Sequence, residues 1–104
     1  MATMQMVLGE DACMKTIGAI AEQMRDAIAD HPAVELDLAA ATRTDLSLIQ
    51  LVEAARREAV RADCVLSLAA PATPALTTLL DRAGFLTAAT PADIDFWFHG
   101  ALPQ

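Results

Sequence analysis

Leu36-Asp37-Leu38-Ala39-Ala40-Ala41-Thr42-Arg43-Thr44-Asp45-Leu46-Ser47-Leu48-Ile49-Gln50-Leu51-Val52 is the stretch whose reading decides the fold. Val34, Leu36 and Leu38 point one way and Glu35 and Asp37 the other, the alternation of a strand with one wet face. A short polar turn through Thr42 to Thr44 follows, and Asp45 is placed to cap a helix that runs to about Ala62. Glu53, four residues before Arg57, is spaced to support that helix with an ion pair. Set out at about 100° per residue, the helix carries Leu48, Leu51, Val52, Ala55 and Ala59 on one arc, its expected core face. Leu46, Ile49 and Val60 fall outside that arc beside Glu53. Such a flank is either the edge of the core or an exposed docking stripe.

Outward from this unit, Met4, Met6 and Leu8 alternate with Gln5 and Val7, and a second extended piece at Cys13 to Lys15 would make an edge hairpin. Thr16 is positioned to cap a helix with Ile17, Ile20, Met24 and Ile28 on its apolar side, closed by His31-Pro32. Cys64 to Ala69 reads as a strand. Thr73 and Pro74 suit the N-cap and first position of a third helix striped by Leu76, Leu79, Leu80 and Ala83, which Gly84 would end in a left-handed conformation. Phe85 to Ala88 is expected to add an edge strand, and Thr90-Pro91 to start a last short helix ending near His99-Gly100. The expectation is an α/β fold with a mixed four- or five-stranded sheet and helices mainly on one face.

The 104 residues leave room for one domain, residues 1–104, and a hydrophobic content of 55% supports a core without disulfide or metal. Fourteen acidic against seven basic residues give a net charge of −7, which argues against nucleic acid and anionic membrane surfaces as partners. No apolar run reaches the length of a membrane span, and no charged segment followed by an apolar one opens the chain, so the expected location is cytoplasmic. Cys13 and Cys64 read as buried free thiols, without the spacing of a metal site. Four of the five methionines lie between Met1 and Met14, and Met6, Met14 and Met24 are expected in the core. Phe96-Trp97-Phe98 would either close the core or anchor a partner.

The strand, the turn, Asp45 and the second helix, with Leu79-Leu80-Asp81-Arg82-Ala83-Gly84-Phe85 further on, resemble the STAS domain of bacterial anti-sigma-factor antagonists, most closely over residues 6–86. The Asp-Leu-Ser sequence at Asp45, Leu46 and Ser47 is similar to STAS proteins of chemosensory gene clusters. The resemblance implies a single STAS-like domain and a non-enzymatic protein-interaction module of bacterial signalling. Its implied partner is a kinase-like anti-sigma factor or a chemosensory component. In the family the serine directly after the aspartate is phosphorylated; here that position is Leu46, and the glycine position is Leu48. Partner contacts are therefore expected at Asp45, Leu46, Ser47 and Ile49, with Ser47 as the candidate phosphorylation site and Thr42 and Thr44 as weaker ones. An accessory subunit of a lipid-transport ATPase is an alternative within the same fold.

An enzyme finds little to build on. Ser47 has no elbow glycines, His31 and His99 lie at element ends where surface histidines are common, and there is no Gly-x-Gly-x-x-Gly, Walker lysine loop or His-Glu-x-x-His. No catalytic residue, metal ligand or cofactor is expected. The alternative of a small hydrolase or transferase would need a pocket that brings His31 or His99 to Ser47.

Overall fold

The computed structural model describes residues 3–100, which leaves Met1 outside. In chain order the elements are β1 (Met4–Val7), β2 (Asp11–Ala12), α1 (Ile17–Asp30), β3 (Ala33–Asp37), β4 (Arg43–Thr44), α2 (Leu46–Arg61), β5 (Val65–Leu68), α3 (Pro74–Arg82) and α4 (Pro91–Phe98). β1, β3 and β5 form a three-stranded sheet in that order, with Met6 opposite Leu36 and Leu36 opposite Leu68. Both pairs are parallel, as they must be when a helix carries the chain back between successive strands.

The fold is thus α/β, but the expected mixed sheet of four or five strands is corrected to this parallel one plus a separate two-stranded ribbon, in which β2 pairs with β4. The N-terminal hairpin does not form. The Glu10 carbonyl accepts from the amides of Thr42 and Arg43, so Gly9-Glu10-Asp11 leads across to the turn before α2 and does not fold back on β1. Phe85 to Ala88 is a turn, not an edge strand. There the Phe85 amide donates to Leu80 and the Gly84 amide to Asp81, a Schellman ending with Gly84 at φ 77° that directs the chain toward α4.

α1 and α2 pack on each other and on the sheet face that carries Met6, Val34, Leu36 and Leu68. The other face stays open: Val7 and Val65 are 64% and 67% exposed, and Gln5 bonds Glu35 in solvent. The 19 Å shortest dimension fits one sheet and one helical layer. Leu76, Leu80, Trp97 and Phe98 bring α3 and α4 into the same core, so the aromatic segment closes the core.

Three expectations about α2 change. Ile49, placed outside the core arc, is 1% exposed, whereas Leu51 is only half-buried at the α1 side. Glu53 pairs with Arg56 at 2.8 Å and not with Arg57, and the same guanidinium reaches Asp93 on α4 at 2.9 Å. The Trp97 indole donates to Glu53 at 3.3 Å, and Arg56 stacks over Phe96. Near the N-terminus, Met14 is 75% exposed, Cys13 is half-buried, and the Thr16 hydroxyl serves the preceding loop without capping α1. Met14 and Cys13 lie in the loop after β2, beyond reach of the core.

Candidate functional site

The start of α2 is built around one carboxylate. Asp45 is extended, at φ −141°, and its Oδ1 accepts the Ser47 amide at 3.0 Å as an N-cap. The Ser47 hydroxyl donates to that same oxygen. Oδ2 accepts the Met14 amide at 3.0 Å. A single side chain therefore caps the helix and ties the β2–α1 loop to it. The hydrogen bond from Ser47, then that from the Met14 amide, hold the Asp45 carboxyl below its ordinary pKa, so it is a carboxylate at neutral pH.

Two apolar side chains flank this carboxylate. Leu46, next in sequence, is 47% exposed, and Met14 stands out from the loop that Asp45 holds. Beside them Asp11, Lys15, Thr16 and Arg43 border a shallow concavity of about 670 Å³. Arg43 is neutralised by Glu10 and Asp11, at 3.5 and 3.4 Å. Thr42 is exposed and Thr44 half-buried on β4.

Of the four residues singled out in the sequence, Asp45, Leu46 and Ser47 come together here, and Ile49 is corrected to a core residue. Met14 was missed as a surface residue. No sequence signal marks it, since Ala12 two positions before and Ile17 three positions after are both apolar.

Elsewhere, His31 Nδ1 bonds the Ala27 carbonyl and His99 Nε2 the Leu68 carbonyl, each at 3.0 Å. The Ser47 hydroxyl is directed to Asp45, and neither histidine is bonded to it. A groove of about 620 Å³ between α2, β5 and α4 has the Arg56, Glu53 and Asp93 cluster in its wall, with those charges already paired. Burial pushes the Cys64 thiol up. Among the described residues no three His, Cys, Asp or Glu side chains gather to hold a metal, and no helix is long and apolar enough to cross a membrane. No protein-family model matches the sequence, and no curated protein is similar to it.

Proposed function

We propose that this chain is a STAS-like protein-interaction module that docks a kinase-like anti-sigma factor or a chemosensory component through the start of α2, without catalysis of its own. The observation that carries the reading is that exposed Leu46 follows, and exposed Met14 is hydrogen-bonded through its amide to, a capped, ionised Asp45. Apolar side chains carried on backbone that Asp45 already holds leave less chain to be ordered on binding. The resemblance of the strand, turn and helix around Asp45 to the STAS domain supports the partner class.

The usual phosphorylation switch is lost in this reading. Leu46 has no hydroxyl, and Ser47 donates its own to a carboxylate beside which a phosphate would be repelled. Ser47 is accordingly a slow acceptor at most. The test is titration of the chain, and of its Leu46→Asp and Met14→Asp variants, with a kinase-like anti-sigma factor. Each variant should weaken binding by about tenfold or more, as loss of an apolar anchor does. Unchanged affinity for both would place docking elsewhere. Rapid stoichiometric phosphorylation of Ser47 by that kinase would restore the switch and remove this half of the reading.

A further inference from the structure

The outer edge of β1 is open. Leu8 donates to the Asp37 carbonyl at 3.0 Å, in register with Val7 opposite Asp37. Ladder bonds of a parallel pair fall on every second residue, so Met4, Met6 and Leu8 turn their backbone groups to β3 while Gln5 and Val7 turn theirs outward. Among the described residues no strand takes up these outward groups. Between this edge and α1 lies a groove of about 360 Å³, floored by Met4 and Met6 and walled by Asp26 and Asp30. The two aspartates are one helical turn apart and exposed, and neither has an ion-pair partner among the described residues.

We propose that this edge receives an extended basic segment of a partner protein as an added strand. The free backbone groups call for a strand as the occupant. Alternation along that strand would set every second side chain over the groove, where lysine or arginine meets Asp26 and Asp30 above adaptable methionines. The intervening side chains would lie on the open sheet face beside Val7, which is apolar and exposed. A second copy is the poorer occupant, because pairing two β1 edges would bring two chains of charge −7 and two aspartate walls together. This surface is on different elements from the start of α2, so the two proposals stand or fall separately.

The probe is a labelled heptapeptide, Val-Lys-Val-Lys-Val-Lys-Val, titrated into the whole chain, with the glutamate-for-lysine peptide as control. Val7→Pro removes an outward N–H and none of the bonds to β3, a change that edge strands tolerate. It should weaken lysine-peptide binding about tenfold, because an added strand loses a main-chain bond and meets the ring. Asp26→Asn with Asp30→Asn should weaken it several-fold and flatten its salt dependence. General attraction to an acidic protein would survive Val7→Pro and so overturn the proposal. No binding of the lysine peptide at about 1 mM, about 4 kcal/mol by affinity arithmetic, or equal binding of the glutamate peptide, would do the same. A dimer in sedimentation that Val7→Pro dissociates would show the edge occupied by a second copy, also overturning it. If Val7→Pro fails to fold, the double asparagine variant on the exposed face of α1 carries the test.

Discussion

At the scale of single residues, Asp45 takes three hydrogen bonds on two oxygens, and all three favour its ionised form. Its folded pKa lies below the ordinary 3.8, so its contribution to stability is full above that value and vanishes as pH falls through the folded one. Urea unfolding between about pH 5 and pH 2 should therefore show a steeper loss for the wild type than for Asp45→Asn, which does not titrate. Asp93, lowered mainly by the Thr90 amide, adds the same sign of dependence to both proteins. Leu46 and Ile49 give a second residue-scale contrast. Leu46→Asp should cost about 1 kcal/mol or less, as exposed substitutions do. Ile49→Asp should cost upwards of about 4 kcal/mol or prevent folding, because it buries an unpaired charge in the core. Equal destabilisation in denaturant would mean that Leu46 is held in the core too. Asp45 as a cap was legible from its place before an apolar-periodic run. The burial of Ile49 was not, because periodicity reports one face of a helix and cannot know that a second neighbour covers the flank.

Single elements obey their local chemistry closely at the ends. Thr73 accepts from Leu76, and Thr90 shares a reciprocal capping box with Asp93, each followed by proline at the first helical position. Thr73→Ala and Thr90→Ala should each lower stability by about 1 kcal/mol in denaturant unfolding. α2 ends less comfortably. The Cys64 amide donates to Ala59 and the Asp63 amide to Val60, a Schellman ending whose left-handed residue is Asp63, at φ 54°. Glycine has no Cβ to strain there, though it also loosens the unfolded chain, so Asp63→Gly should stabilise by about 0.5 kcal/mol and raise Tm by a few degrees. A fall in Tm would show that the Asp63 side chain contributes more than its backbone strain costs. These helix starts and the Gly84 stop were readable from short motifs. The strands were less so: Cys13 to Lys15 and Phe85 to Ala88 have extended-looking composition, but a strand exists only when another supplies its hydrogen bonds.

On the scale of the whole molecule, α4 is held on α2 by Arg56. Burial opposes its charge, yet hydrogen bonds to Glu53 and Asp93 outweigh that and raise its pKa. With only about a fifth of each of these side chains exposed, Arg56→Met should leave two carboxylates half-buried and unpaired. A loss of about 2 kcal/mol is expected, with faster hydrogen exchange across α4 than across α2. Uniform exchange in both helices would mean that α4 is held by Trp97 and Phe98 alone. The sequence by itself determined the α/β class, the α-helical segments, the caps of α2, α3 and α4, and the wet and dry faces of β3, since each follows from local periodicity and backbone chemistry. Tertiary structure alone decided that β2 pairs with β4, that the main sheet stops at three parallel strands, that Ile49 is buried, and that Met14 and Leu46 stand exposed. These depend on which distant groups satisfy one another's hydrogen bonds and exclude water together, and no spacing along the chain encodes that directly.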